Sequence, residues 1–135
     1  MDLSAVSRST AGVLFLAIPL IEFGGTYMLR LVRGKVEATP FQQSFARAGH
    51  AHAGVLVILG LVVQVMADAT RLDGLALSLA HSAIPLAAIL MPAGFFFSSA
   101  GAGRTKPSPF IWLVYAGAVS LAVGSVVLGY GLLTA

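Results

Sequence analysis

The chain has 135 residues, of which 58% are hydrophobic and 10% are charged, and its mean hydropathy is +0.93. This composition excludes a soluble globular domain of this length, and the absence of Cys excludes disulfides and thiolate metal sites. The net charge of +3 does not indicate nucleic-acid binding, because the basic residues lie in short loops rather than in one patch.

Four apolar stretches are each about the length of roughly 20 residues that a helix needs to cross a bilayer. They cover residues 10–32, 46–67, 73–98 and 110–133. Because lipid offers the backbone no hydrogen-bond partner, such stretches must be helices. The first continues past Glu22 without a cleavage pattern, so it is a membrane helix rather than a signal peptide. We therefore predict an all-α integral membrane protein, a single bundle of four transmembrane helices over residues 1–135.

The charges of the connecting segments predict the orientation of the chain. The segments 33–45 and 99–109, with the adjoining helix ends, contain most of the basic residues: Arg30, Arg33, Lys35, Arg47, Arg104 and Lys106. The opposite side has only Arg8 and Arg71. By the positive-inside rule, both segments are expected to be cytoplasmic in a multi-pass protein of the plasma (inner) membrane. Residues 33–45 are expected to lie on the membrane surface.

Small residues recur along the fourth apolar stretch. One set is spaced by four residues and a second set lies one residue further round: Ala116, Ser120 and Gly124, then Gly117, Leu121, Ser125 and Gly129. Small side chains at this spacing let helices approach closely in lipid. The pattern predicts tight packing within the bundle, with a subunit interface as the alternative.

The segment RAGHAHAG, residues 47–54, opens the second apolar stretch and places His50 and His52 inside the membrane. An imidazole there is costly, and it usually faces the bundle interior or a site. Two residues apart on a helix, the side chains diverge by about 200°. One chain therefore cannot chelate a single ion with both, and one His as a ligand is the simpler arrangement.

Depth in the membrane separates two polar layers. At about 1.5 Å rise per residue, Tyr27, Phe95, Phe96, Trp112 and Tyr115 lie within about 10 Å of the surface near the histidine pair. Glu22 lies at about 15 Å, whereas Gln64 and His81 lie near about 25 Å. His81 is too far from His52 to share a metal, and we predict that it hydrogen-bonds with Gln64.

An apolar, aromatic-lined gap with one imidazole and one arginine suits haem. The imidazole would be the axial ligand, and Arg47 would pair with a propionate at the membrane surface. A bare metal ion needs three or four converging ligands, and this layer offers too few.

Three segments, residues 46–54, 94–99 and 124–130, resemble segments of the styrene oxide isomerase family, small four-helix membrane enzymes that hold haem b. Residues 46–54, ARAGHAHAG, are similar to the family segment Ala-Arg-Ala-His-Ser-Gly. Aligning Ala51-His52-Ala53-Gly54 with Ala-His-Ser-Gly places His52 on the family's axial haem ligand. Residues 94–99, GFFFSS, and 124–130, GSVVLGY, resemble the family's Gly-Phe-Tyr-Leu-Phe-Ser and Gly-Ala-Leu-Ala-Val-Ile-Gly-Tyr runs.

The resemblance implies haem b, a trimeric homo-oligomer and His52 as the iron ligand. The full set expected to contact the cofactor is His52, His50, Arg47, Tyr27, Phe95, Phe96 and Tyr115. In the family, ferric haem acts as a Lewis acid on an epoxide, aided by an asparagine and a tyrosine. Those positions are Ile58 and Phe96 here, so the substrate expected is a different small apolar molecule from the lipid bilayer.

Two other functions remain open from the sequence. The first is a non-catalytic or redox haem protein, such as a b-type cytochrome, a haem or gas sensor, or a haem carrier. The second is a cofactor-free accessory membrane subunit, in which the histidines only hydrogen-bond between helices.

Overall fold

The fold, given by a computed structural model that describes residues 2–135, consists of four helices and, within those residues, no strands. They are α1 (Ala5–Val32), α2 (Pro40–Asp68), α3 (Gly74–Ser99) and α4 (Ile111–Leu133). All four are long and apolar enough to span a membrane. The predicted all-α architecture with four membrane helices is therefore confirmed.

The first two helices begin earlier than the sequence analysis predicts. Helix α1 begins at Ala5 rather than at residue 10. Ser4 caps it, because its side chain accepts a hydrogen bond from the Ser7 N–H. Helix α2 begins at Pro40 rather than at residue 46, so the predicted surface loop 33–45 was too long. Thr39 and Gln42 form a reciprocal capping box. Pro is tolerated in the first turn because the N–H that it lacks would have no helical partner there.

Consecutive helices are neighbours, with α2 and α3 in the centre of the bundle. Helix α4 packs along α3, whereas α1 packs mainly on α2 and touches α3 only briefly. Within the described part of the chain, α1 and α4 are not in contact. Only Ser7, Leu14 and Leu31 are buried on α1, so this helix is the least enclosed of the four.

Glycines set the close approach of α3 and α4. Gly117, Gly124 and Gly131 are buried at intervals of seven residues on α4. A methyl group on Gly124 would lie 2.9 Å from Ile84 Cγ1, so there is no room for a side chain. Packing within the bundle is thus confirmed as a role of the small residues. Ser120, four residues before Gly124, also contacts α3, because its hydroxyl donates to the Ala83 carbonyl oxygen at 2.7 Å. Gly129, the last residue of the second set, has no neighbour within 4 Å of an added methyl group.

Two apolar clusters form the core. The one nearer the histidine pair contains Leu14, Leu56, Val57, Ala87, Ala88, Met91 and Val114. The second contains Val63, Ala67, Ala80, Ile84 and Leu128. Both join α2, α3 and α4, whereas α1 contributes Leu14 alone to their buried members. The core therefore holds α2 to α4 together and leaves space beside α1.

Candidate functional site

His50 and His52 face opposite sides of an unbroken α2, as their spacing predicts. On the face of α2 that lies between these two side chains, Gly49 is buried against α3. A methyl group on Gly49 would lie 3.0 Å from Phe96 Cε2 and 3.2 Å from Phe95 Cβ. This close approach of α2 and α3 separates the surroundings of His50 from those of His52. His50 and Phe96 line a cavity on the α1 side, while His52 packs against Phe95.

His52 is held by its own helix in a defined ring orientation. Its Nδ1 lies 2.7 Å from the Ala48 carbonyl oxygen. Because that oxygen can only accept, Nδ1 carries the proton and Nε2 retains the free lone pair. The ring lies 5.0 Å, centroid to centroid, from Phe95, which in turn packs edge-on against Phe45 at 5.5 Å. His52 is thus a half-buried imidazole with Nε2 available for a ligand.

His50 packs beside two glycines of α1. Methyl groups on Gly24 and Gly25 would lie 3.8 Å from Nδ1 and 3.6 Å from Nε2 of His50, respectively. Neither ring nitrogen has a hydrogen-bond partner in residues 2–135, and no buried polar atom of that range is left unpaired. The His50 nitrogens are therefore accessible from the space around them.

A cavity of about 460 Å³ lies between α1, α2 and α3. His50 and Phe96 line it near one end, and Thr10 lines it near the other. The remaining wall is apolar and includes Leu14, Ala17, Ile21, Val57, Pro85 and Ala88. Its volume is in the range of small-molecule sites, typically about 300–1,000 Å³. The cavity exists because α1 barely contacts α3.

The remaining predicted cofactor residues do not converge on one point within the chain. Arg47 is exposed on the α1 side, where its guanidinium donates to Gln43 Oε1 at 3.4 Å. Tyr27 and Tyr115 are 41% and 53% exposed, and Tyr115 stacks edge-on with Trp112 at 5.3 Å. The seven residues thus fall into a His50 group, a His52 group and outward-facing aromatics.

The two positions where the isomerase resemblance expects hydrogen-bonding groups are apolar and separate. Phe96 lines the large cavity, whereas Ile58 is 62% exposed on the outer surface of α2. Ile58 borders a depression of about 200 Å³ that Glu22 and His50 also line. Neither Ile58 nor Phe96 can hydrogen-bond to a bound oxygen.

The second polar layer forms a connected cluster, and the predicted pairing of Gln64 with His81 is confirmed. Gln64 Nε2 donates to the His81 carbonyl oxygen at 3.0 Å, and Gln64 Oε1 lies 3.2 Å from His81 Nδ1. Pro85 explains the first bond. It has no N–H, so the carbonyl of His81 four residues earlier has no helical donor.

Ser7 and Asp68 also belong to this cluster and were missed by sequence reasoning. Asp68 Oδ1 lies 3.4 Å from His81 Nε2, and Ser7 Oγ lies 3.4 Å from His81 Nδ1. The trio is not a hydrolytic triad. The Ser7 side chain is fully buried, and its hydroxyl donates to the Gln64 carbonyl oxygen at 3.2 Å.

Two sequence signals bear on these contacts: one on the packing of α1 against His50 and one on Asp68, whereas no sequence signal indicated Ser7. The Gly24–Gly25 pair inside an apolar helix costs about 1 kcal/mol per Gly relative to Ala, and it indicates that another group approaches closely. Asp68 follows Gln64 by four residues, the spacing that places two side chains on one helix face. Both signals are short and common, so neither identifies its partner helix.

Residues 2–135 contain no group of three or more His, Cys, Asp or Glu side chains that could hold a metal ion. Comparison of the chain with protein-family models, curated proteins and solved structures finds no match.

Proposed function

We propose that this chain is a haem b-binding membrane protein in which His52 Nε2 is the axial ligand. The supporting observation is the 2.7 Å hydrogen bond from His52 Nδ1 to the Ala48 carbonyl oxygen. Metal-binding histidines commonly donate their other ring N–H in this way, which fixes the tautomer and increases the basicity of the ligating nitrogen.

The donor set suits haem better than a bare metal ion. A bare ion would require three or four protein ligands, whereas a porphyrin supplies its own equatorial nitrogens and needs only an axial group. Phe95 and Phe45 offer aromatic surface beside His52. Arg47 is exposed on the α1 side of α2, away from His52, so it does not fit the propionate role that the sequence suggested for it. When bound, the iron would supply Lewis-acid or one-electron chemistry.

Ligation by a single imidazole favours binding of a further ligand over electron transfer. Because His50 faces away from His52 across an unbroken α2, one chain offers one imidazole to one iron. An open sixth position is typical of haem sites that bind substrates or gases. The ligand class we propose is a small apolar molecule from the bilayer. Epoxide isomerisation is not part of the proposal, because Ile58 and Phe96 lack hydrogen-bonding groups.

We also propose that the chain forms a homo-oligomer, a trimer by its resemblance to the isomerase family. His52 is only half-buried in the single chain, so a second copy beside it would complete the wall of a haem pocket. Glu22 is exposed in α1, where the residues on either side of it in sequence, Leu20, Ile21 and Phe23, are apolar. A carboxyl group facing lipid is costly, and a neighbouring subunit would cover it.

The absorption spectrum of the full-length protein purified in detergent tests this proposal. We expect a Soret band and a haem-to-chain ratio near one, with a spectrum of single-imidazole ligation. Two axial imidazoles would support the electron-transfer alternative. Protein that neither retains haem nor takes it up when haem is added would contradict the proposal and support the cofactor-free subunit.

Membrane orientation provides a second test. We propose that residues 33–39 and 100–110, the loops after α1 and α3, are cytoplasmic and that Ala135 lies outside, because the basic residues cluster beside those loops. Reporter fusions at Ala135 and within 33–39 should therefore report opposite compartments. A cytoplasmic reporter signal at Ala135 would reverse the orientation.

A further inference from the structure

The polar cluster of Ser4, Ser7, Gln64, Asp68 and His81 lies at the opposite end of the bundle from the proposed haem site. We infer that its His81–Asp68 pair is a proton-binding site, and that the bound proton holds the N-terminal end of α1 against α2 and α3. The inference rests on the hydrogen-bonding roles that the cluster imposes on His81. It does not depend on haem.

Gln64 fixes the protonation of one ring nitrogen. Its Nε2 donates to the carbonyl oxygens of Gly60 and His81, at 3.2 and 3.0 Å, so both amide hydrogens are used. The orientation of the amide is thereby set, and Oε1 faces His81 Nδ1 at 3.2 Å. Because Oε1 can only accept, Nδ1 must carry a hydrogen.

Asp68 then requires a second hydrogen, shared between His81 Nε2 and the Asp68 carboxyl group. His81 Nε2 lies 3.4 Å from Asp68 Oδ1. With Nδ1 protonated, a neutral imidazole would direct the Nε2 lone pair at an ionised carboxylate, which is repulsive. A proton on either atom removes this repulsion. The pair is then an imidazolium with a carboxylate, or a neutral imidazole with a carboxylic acid.

No other ionisable side chain of residues 2–135 forms an ion pair with His81. From α1 it meets Ser7, from α2 Gln64 and Asp68, and α4 contains no Asp, Glu, Lys, Arg or His. The other charged residues at this end, Asp2, Arg8, Arg71 and Asp73, are exposed. The proton balance of the pair is therefore governed by His81 and Asp68 themselves.

A recess of about 340 Å³ between the ends of α1 and α3 reaches the pair, and we infer that water enters through it. Its polar lining consists of Ser4, Thr10, Asp68, Ser78, His81 and Ser82. A proton can thus move between bulk water and the space between Nε2 and Oδ1 without crossing the bilayer.

The same residues attach α1 to the bundle. The Ser4 N–H donates to Asp68 Oδ2 at 2.9 Å, and the Ser7 hydroxyl donates to the Gln64 carbonyl oxygen at 3.2 Å. Loss of the proton would restore the repulsion between His81 Nε2 and Asp68, and a shift of Asp68 away from His81 would break its bond to the Ser4 N–H. Since α1 has so few other buried residues, this end of the helix should then loosen. Thr10 lines both the recess and the apolar cavity, so such loosening widens the end of the cavity that Thr10 lines.

Nuclear magnetic resonance of the full-length protein in lipid nanodiscs, with ¹⁵N-His and ¹³C-Asp labels, tests the proton. The chain contains three His residues, and His81→Gln assigns the signal. At pH 7 we expect His81 to be protonated on both nitrogens, or on Nδ1 with a protonated Asp68 carboxyl. A singly protonated His81 beside an ionised Asp68 would overturn the inference.

Hydrogen exchange in the same sample tests the attachment of α1. Asp68→Ala removes the acceptor and should speed exchange of the Ser4 amide about 10- to 100-fold, the loss expected for a hydrogen bond to a charged group. Raising the pH past the deprotonation of the pair should do the same in the unmodified protein, after correction for intrinsic exchange. Asp73→Ala, which removes an exposed carboxyl at the same end, is the matched control. Equal exchange in the two variants would overturn the inference.

Discussion

Replacing His52 with Ala is expected to abolish haem retention, whereas replacing His50 with Ala should leave the absorption spectrum largely intact. The physical reason is that His52 Nε2 is the free nitrogen of a ring fixed by the Ala48 carbonyl, while His50 faces the cavity on the other side of α2. The measurement is the Soret absorbance per chain after detergent purification, with circular dichroism to show that each variant remains helical.

The matched pair makes the outcome specific. His50→Ala removes an equally polar side chain from the same helix, so a general loss of stability would affect both variants. Haem loss in His50→Ala alone would identify His50, in its cavity, as the iron ligand in place of His52. Loss in both variants, with both still helical by circular dichroism, would indicate haem held between subunits by both residues, contrary to the single-imidazole site proposed here.

Replacing Gly94 with Ala is expected to lower the free energy of unfolding by about 1–3 kcal/mol, the usual cost of overpacking. The new methyl group would lie 2.6 Å from the backbone nitrogen of Val114. A backbone atom cannot rotate away as a side chain can, so α3 and α4 would have to separate. Thermal unfolding in detergent, followed by circular dichroism, measures the effect.

Gly129→Ala is the control for this substitution. Gly129 lies within α4, but a methyl group there would have no neighbour within 4 Å. Its effect should be neutral or slightly stabilising, because Ala has the higher helix propensity by about 1 kcal/mol. Equal stability of the Gly94 and Gly129 variants would contradict the close packing of α3 on α4.

Helix number, the divergence of His50 and His52 and the pairing of Gln64 with His81 were all predictable from the sequence. Each depends on a local rule: hydrophobic length, rotation per residue or rise per residue. The early start of α2 was also readable in principle, since Thr39-Pro40-Phe41-Gln42 is a capping-box sequence. The polar composition of residues 39–45 favoured a loop, but the capping box begins the helix at Pro40.

The candidate sites depended on contacts between distant residues, which only the tertiary structure decides. Gly25 and His50 belong to different helices, as do Ser7 and Gln64, and no periodicity within one helix indicates which face its neighbour covers. Phe95 and Phe96 are adjacent in sequence, yet one packs on His52 and the other lines the His50 cavity. Hydropathy determined the four membrane helices because burial in lipid depends on each segment alone. Packing of α1 mainly on α2 determined the cavity, because a space between helices depends on all of them.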